Sequence, residues 1–249
     1  MKILLALILL TLTACGGGGG SALSPSLTPE PTVSAPAYGA VGSGPLVVVL
    51  GTDMKDMLSD PATSSEIVPD LVAAGYQVLS LDPPCHGADA DPAYPDPLDC
   101  WAARIAAGDT DIFLRFCSGL TDVLDKLGVT DAAIVGISRG GYLAVTCAAY
   151  DTRFTRIVLE NPVTDLNYLS EFQARPVDET LFNLQQYIPY LTDRRKMLSI
   201  DAVDVRVGAA LAEVFARELG ATLEITDAGN HQIPPAVAQA AVTWLEEQP

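Results

Sequence analysis

The sequence of 249 residues is poor in basic side chains. Its 14 lysines and arginines stand against 31 aspartates and glutamates, which gives a formal net charge of −17 at pH 7. A surface of this charge repels phosphate backbones, and no stripe of basic residues offsets it. We therefore expect no nucleic-acid partner. At long range the same charge favours neutral or cationic substrates.

Histidine is rarer still, because His86 and His231 are the only two in the chain. No pair of the five cysteines has the spacing of zinc ligands. A structural metal site therefore lacks the side chains it needs, and we expect neither a metal nor a cofactor. The same scarcity limits any histidine-dependent chemistry to one of two positions.

The cysteines beyond Cys15 matter if the chain enters an oxidising compartment, which permits disulfides. Cys85 and Cys100 fall in one loop-rich stretch, where they could form a pair. Cys117 and Cys147 lie on the apolar faces of predicted helices. At these two positions we expect buried free thiols.

Long apolar runs are missing as well. The uncharged run at residues 3–12, which follows Lys2, is too short to span a membrane. Its length and flanks are typical of the apolar core of a signal peptide. It leads into Leu-Thr-Ala-Cys at residues 12–15, which resembles the lipobox of bacterial lipoproteins. The resemblance implies a signal peptide at residues 1–14 and a lipid anchor on Cys15 in the bacterial cell envelope, with the outer membrane or periplasmic face favoured.

Glycine and proline dominate the stretch that follows. Residues 16–20 are all glycine, and four prolines come soon after, at positions 25, 29, 31 and 36. This composition is typical of a flexible spacer, so we expect residues 15–40 to be a tether. The remaining residues, 41–249, suffice for one domain with a full-sized core.

Apolar, β-branched runs alternate with helical patterns through this domain. Strands are predicted over residues 46–50, 76–81, 132–135, 156–159, 197–200 and 222–225. Helices are predicted over residues 64–74, 112–127, 138–150 and 209–219 and at the C-terminus. The alternation predicts an α/β fold, with a mainly parallel twisted sheet flanked by helices. A long loop is expected before residue 112, and residues 162–196 interrupt the alternation as a small helical lid.

One glycine-rich turn stands between the third predicted strand and its helix. Its sequence, Gly136-Ile-Ser-Arg-Gly140, has the G-x-S-x-G pattern in a strand–turn–helix context. Such a turn exposes the hydroxyl of Ser138 at the carboxyl end of the strand. The positive end of the helix dipole then faces any oxyanion that forms there. We therefore predict that Ser138 is a nucleophile.

A serine nucleophile needs a base, and the two histidines are the candidates. His231 follows the last predicted strand and precedes the final helix, so it belongs to the same edge of the sheet as Ser138. His86 follows the second strand in a proline-flanked turn, where a histidine more often fixes the loop through its ring nitrogens. We predict that His231 is the base.

The acid that orients the base should follow the strand before the histidine. Asp204 occupies that position and gives the chain order Ser, Asp, His. Asp201 and Glu160, which directly follow predicted strands, are alternatives. For the oxyanion we expect two backbone N–H donors, one from Arg139 and one from Thr52 in the loop after the first strand.

These motifs resemble the α/β-hydrolase superfamily over nearly all of residues 44–247. The elbow, the Asn-Pro-Val-Thr-Asp-Leu segment at residues 161–166 and the Leu-Asp-Pro-Pro-Cys-His-Gly loop at residues 81–87 look like prolyl-oligopeptidase-related and dienelactone-hydrolase-related members. The resemblance implies a Ser-His-Asp hydrolase that acts on esters or peptides through an acyl-enzyme. The sequence departs from the family pattern at Gly51-Thr52, which replaces a His-Gly pair, and at Asp201 and Asn230, where the family has glycine.

The favoured function is hydrolysis of a small-molecule carboxylic ester by a monomer. A serine peptidase is the alternative within enzymes, although it would normally need an added domain. A non-catalytic envelope lipoprotein that uses the fold for binding is the alternative outside them. The predicted lid carries five aromatic residues that either line a substrate pocket or cover the sheet edge: Tyr168, Phe172, Phe182, Tyr187 and Tyr190.

Overall fold

Seven strands form one sheet in the computed structural model, which describes residues 37–63 and 66–247. They are β1 (Tyr38–Gly42), β2 (Leu46–Leu50), β3 (Gln77–Leu81), β4 (Ala132–Ile137), β5 (Phe154–Glu160), β6 (Arg195–Asp201) and β7 (Thr222–Thr226). Their order across the sheet is β1-β3-β2-β4-β5-β6-β7. Only β1 runs antiparallel to its neighbour, and the other pairs are parallel.

Helices cover both faces of this sheet. They are α1 (Met54–Ser59), α2 (Ile67–Ala73), α3 (Pro97–Ala106), α4 (Ile112–Lys126), α5 (Arg139–Tyr150), α6 (Ser170–Gln173), α7 (Glu179–Phe182), α8 (Ala209–Leu219) and α9 (Pro235–Glu246). One apolar cluster joins the sheet to α3, α4, α5 and α8, and a second joins it to α1, α2 and α9. Every residue of β2 and β4 is buried between these layers, which is why both read as continuous apolar runs. The predicted fold class is confirmed.

Three elements were not expected from the sequence: the short helix α1, the helix α3 and the strand β1. Helix α3 lies where a long loop was predicted, and local signals explain it. The Asp96 carboxylate accepts a hydrogen bond from Leu98 N at 2.9 Å, Pro97 occupies the first turn, and Trp101 is fully buried. Strand β1 begins at Tyr38, inside the stretch predicted as a tether, because its backbone extends the sheet by pairing with β3.

The predictions on the first 36 residues lie outside the described residues. These are the signal peptide at residues 1–14, the lipid anchor on Cys15 and most of the tether. In the part of the chain that the structure describes, no helix has both the length and the apolar character needed to cross a membrane.

Two disulfides tie elements of one helical layer together. Cys85 in the loop after β3 is bonded to Cys100 in α3. Cys117 in α4 is bonded to Cys147 in α5. The expectation of free thiols at Cys117 and Cys147 was therefore wrong. The two helices pack side by side and bring the Cα atoms to 4.9 Å, within the range that a disulfide requires.

The segment between β5 and β6, predicted as a lid, consists of short helical pieces. They are two 3₁₀ turns, at Leu166–Tyr168 and Leu184–Tyr190, and the helices α6 and α7. Phe172 and Phe182 from this segment are buried in the same apolar cluster as α5 and α8. The segment is thus anchored to the helical layer by apolar packing.

Candidate active site

The turn at Ser138 connects β4 directly to α5. Ser138 has φ 53° and ψ −117°, a strained conformation that a non-glycine residue rarely adopts. Its backbone N–H donates to the carbonyl of Glu160 at 2.9 Å, and its carbonyl accepts from Val163 N at 3.0 Å. Neighbouring glycines permit this turn, because a Cβ on Gly140 would lie 2.0 Å from the carbonyl oxygen of Leu50. The hydroxyl consequently stands at the carboxyl edge of the sheet.

The structure brings Ser138 and His231 together although 93 positions separate them. His231 Nε2 lies 3.0 Å from Ser138 Oγ, within hydrogen-bonding distance. The histidine sits in the loop between β7 and α9, where Asn230 and His231 both have positive φ angles of 46° and 64°. The Asn230 side chain accepts a hydrogen bond from Val205 N at 3.2 Å. That contact ties the histidine loop to the loop after β6.

Asp204 contacts the other nitrogen of the same imidazole. Its Oδ2 lies 2.7 Å from His231 Nδ1, while its Oδ1 accepts from the backbone N–H groups of Arg206 and Val207. Burial acts to raise the pKa of Asp204, but the hydrogen bonds from His231 and from those two amides outweigh it and hold the pKa below its usual value. The carboxylate therefore stays ionised and fixes Nδ1 of His231 as a hydrogen-bond donor.

The two alternative acids do not have this contact. Asp201 is buried, and its Oδ1 accepts from Val203 N at 3.1 Å, which makes a turn after β6. Glu160 is fully buried at the end of β5, and neither carboxylate oxygen has a hydrogen-bond partner within the described residues. Burial, with a smaller contribution from Glu224, raises the pKa of Glu160 to about 8. Glu160 is therefore neutral near pH 7.

Asn161 is a buried residue that the sequence did not single out. It follows Glu160 directly and adopts φ 43°. Its backbone N–H donates to Ser199 O at 2.9 Å, and its Oδ1 accepts from Asp201 N at 2.7 Å. Its Nδ2 donates to the carbonyl of Gln232, beside the histidine, at 3.1 Å. The sequence signals were its place at the head of the 161–166 segment that carries the family resemblance and the tolerance of asparagine for left-handed backbone.

No hydrogen bond within the described residues joins His86 to Ser138, and its ring fixes its own loop. Its Nδ1 donates to Pro84 O at 2.9 Å, and the Trp101 indole donates to the same carbonyl at 2.6 Å. Burial lowers the pKa of His86, so the ring is neutral and its Nε2 is an acceptor. Arg139 Nη1 faces that nitrogen at 3.4 Å.

A cavity of about 450 Å³ opens at the serine. Its lining includes both expected oxyanion donors together with the serine and histidine: Thr52, Ile137, Ser138, Arg139, His231 and Ile233. Neither backbone N–H of Thr52 or Arg139 has a hydrogen-bond partner within residues 37–63 and 66–247. Two unpaired N–H groups beside a serine hydroxyl are the arrangement that stabilises an oxyanion.

The aromatic residues of the predicted lid do not line this cavity. Phe172 and Phe182 are core residues, and Tyr187 packs against the same core. Tyr168 and Tyr190 are 40% and 66% exposed. Of the two interpretations left open by the sequence, the structure favours the structural one, because Phe172, Phe182 and Tyr187 pack on the helical layer and none of the five lines this cavity.

Comparison with known proteins relates this chain to a family and to a curated relative. The family described as alpha/beta hydrolase fold matches residues 51–207, more than half of the chain. A 2-hydroxy-6-oxononadienedioate/2-hydroxy-6-oxononatrienedioate hydrolase from Paraburkholderia phymatum is 27% identical over 224 residues. The matched region covers 83% of this chain and 72% of that protein.

Solved structures with similar folds have lower sequence identity. TT1662 from Thermus thermophilus has a TM-score of 0.64 at 15% identity, covering 85% of this chain and 93% of its own. The esterase Pf2001 from Pyrococcus furiosus has a TM-score of 0.61 at 15% identity, covering 85% and 91%. At these identities the likeness concerns the fold alone.

Proposed function

Because this chain belongs to the alpha/beta hydrolase fold family, we propose that it is a serine hydrolase that cleaves small carboxylic esters through an acyl-enzyme. The observation that carries the proposal is the continuous hydrogen-bonded chain from Asp204 through His231 to Ser138, with distances of 2.7 and 3.0 Å. A nucleophile, a base and an orienting acid in this geometry need no further group to begin acyl transfer.

In the proposed reaction, Ser138 Oγ attacks the ester carbonyl while His231 Nε2 takes the serine proton. The negative charge that forms on the carbonyl oxygen is stabilised by the backbone N–H groups of Thr52 and Arg139. His231 then donates its proton to the departing alcohol, which leaves an acyl group on Ser138. A water molecule, deprotonated by the same imidazole, releases the acid and restores the serine.

Asp204 has a supporting part in these steps. Its buried carboxylate keeps the proton of neutral His231 on Nδ1, so that Nε2 is free to accept the proton of Ser138. It also stabilises the imidazolium formed in each half-reaction. An ester is favoured over a peptide because the described residues belong to one compact unit, whereas a peptidase would normally need an added domain.

Hydrolysis of short-chain 4-nitrophenyl esters, compared with aminoacyl 4-nitroanilides, tests the proposal. We expect ester turnover that Ser138→Ala abolishes and that Ser59→Ala leaves intact, since Ser59 is an exposed serine at the end of α1. Turnover of the anilides alone would point to a peptidase. A folded wild-type protein that cleaves neither class would contradict an enzymatic role.

We also propose that the protein is anchored in the bacterial cell envelope by lipid on Cys15. The support is the Leu-Thr-Ala-Cys motif behind a short apolar run. Metabolic labelling with an alkyne fatty acid in a bacterial host should mark the wild type and not a Cys15→Ser variant. Equal labelling of both would contradict the anchor.

A further inference from the structure

The side chain of Arg139 is a poorly neutralised cation next to the nucleophile. Arg139 is the first residue of α5 and lines the cavity at Ser138. Its side chain is only 20% exposed. Enclosing a guanidinium is costly unless hydrogen bonds or an opposite charge compensate it. The compensation that this protein supplies is weak.

The nearest carboxylate to this guanidinium is distant. Asp96 Oδ1 lies 3.8 Å from Arg139 Nη1, and the same oxygen already accepts the N–H of Leu98 at the start of α3. The other polar neighbour, His86 Nε2, is a neutral acceptor at 3.4 Å. Among the arginine–carboxylate pairs of the described residues, the one with Asp96 is the longest.

Other arginines of the described residues show what close pairing with a carboxylate looks like. Arg206 holds Glu171 through two hydrogen bonds, at 2.5 and 2.9 Å. Arg153 contacts Asp151 at 2.6 Å. In a chain with 31 acidic residues against 14 basic ones, close partners are plentiful. The guanidinium of Arg139, the residue that follows the nucleophile, thus has donors that no close carboxylate of the described residues uses.

A guanidinium has five donors in a planar fork that matches a carboxylate, and such pairs are strongest where water is partly excluded. We propose that Arg139 binds a carboxylate carried by the substrate a few bonds from the scissile carbonyl, so that the preferred substrates are half-esters of dicarboxylic acids. This inference rests on the proposed ester hydrolysis. The negative net charge of the protein repels such substrates at long range, whereas the guanidinium of Arg139 attracts their carboxylate at contact distance.

Matched pairs of alkyl esters test this inference directly. Monoethyl succinate and ethyl butyrate differ only in a carboxylate that replaces a methyl group, and monoethyl glutarate and ethyl valerate form a second pair. Acid release is followed in a pH-stat, and the readout is the ratio of kcat/KM for the charged ester to that for the neutral one. We expect Arg139→Gln to lower this ratio about tenfold to hundredfold.

Two further variants separate the charge effect from general damage. Asp96→Asn keeps an oxygen to accept Leu98 N but removes the competing carboxylate, so it should raise the ratio several-fold. Arg217→Gln removes an exposed arginine of α8 and should leave the ratio at its wild-type value. If Arg139→Gln does not fold, the rise in Asp96→Asn still tests the inference.

The outcomes distinguish this inference from the proposed function. Hydrolysis of ethyl butyrate with a ratio that neither Arg139→Gln nor Asp96→Asn alters would overturn the role of Arg139 and leave ester hydrolysis standing. Absence of turnover for all four esters, with no covalent labelling of Ser138 by a fluorophosphonate, would overturn both.

Discussion

The side-chain amide of Asn161 donates a hydrogen bond to the backbone carbonyl of Gln232, 3.1 Å away. Gln232 directly follows His231, so this contact holds the histidine loop against the end of β5. The opposite atom of the same amide accepts Asp201 N, at the end of β6. Asn161 therefore links the ends of β5 and β6, the strand that precedes the acid, to the loop that carries the base.

The Asn161→Ala variant should position His231 less accurately. We expect kcat to fall about tenfold to hundredfold with little change in KM, because small displacements of a catalytic group are costly to the chemical step. Leaving Asp201 N and Gln232 O without a partner should also lower the free energy of unfolding by about 1–3 kcal/mol. Steady-state kinetics and urea unfolding measure the two effects.

Asn167 provides a matched control in the segment between β5 and β6. Its side chain also makes two hydrogen bonds, both with Val177, at 2.7 and 3.0 Å. Asn167→Ala should therefore lose a similar amount of stability while kcat stays within about twofold. Equal losses of kcat in both variants would show that Asn161 acts only through general stability.

The sequence was sufficient to predict the parts of the site that follow strands. Ser138, Asp204 and His231 each follow a strand of the sheet, and a parallel sheet brings such positions to one edge. Asn161 occupies an equivalent position, but its function depends on which carbonyl its amide reaches, and that depends on how the histidine loop is folded. The Cys117–Cys147 bond was missed for a similar reason, since the approach of α4 to α5 is a tertiary feature.

Asp204 and Asp201 should differ sharply in their effect on catalysis. Asp204→Asn would favour the wrong tautomer of His231, so we expect kcat to fall about 10³- to 10⁴-fold, as in other triad enzymes. Asp201→Asn should cost less than about tenfold, because Asp201 does not contact the histidine and mainly forms a turn. Steady-state kinetics of the two variants with one ester decide which aspartate orients His231. A larger loss of kcat in Asp201→Asn than in Asp204→Asn would assign that role to Asp201.

Glu160 should make the stability of the fold depend on pH. Its pKa is about 8 in the folded state against a usual value of 4.5, because the carboxyl group is fully buried. The contribution of neutral Glu160 to the free energy of unfolding is therefore complete below pH 4.5 and is lost as the pH rises towards 8. Relative to Glu160→Gln, which stays neutral, the wild type should lose on the order of 3 kcal/mol between pH 5 and pH 8.

Urea unfolding at several pH values tests the role of Glu160. The stability difference between wild type and Glu160→Gln should widen steadily with pH, whereas Glu247→Gln, at an exposed carboxylate near the C-terminus, should show a constant difference. A constant difference for Glu160→Gln as well would mean that this carboxyl group titrates normally.

The disulfide between α4 and α5 should contribute to stability. It closes a longer loop than the Cys85–Cys100 bond, with 30 positions between its cysteines against 15. Cys117→Ala/Cys147→Ala should lower the free energy of unfolding by about 3–4 kcal/mol, since the bond restricts the unfolded chain. Denaturant unfolding under non-reducing conditions measures this, and a loss below about 1 kcal/mol would contradict it.

Covalent labelling of the serine is the decisive experiment on the proposal that Ser138 is a nucleophile activated by His231. The folded protein is treated with a fluorophosphonate, digested and mapped by peptide mass spectrometry. We expect one adduct, on Ser138, that forms far more slowly in a His231→Ala variant. An adduct on another residue, or no adduct on the folded protein, would contradict it.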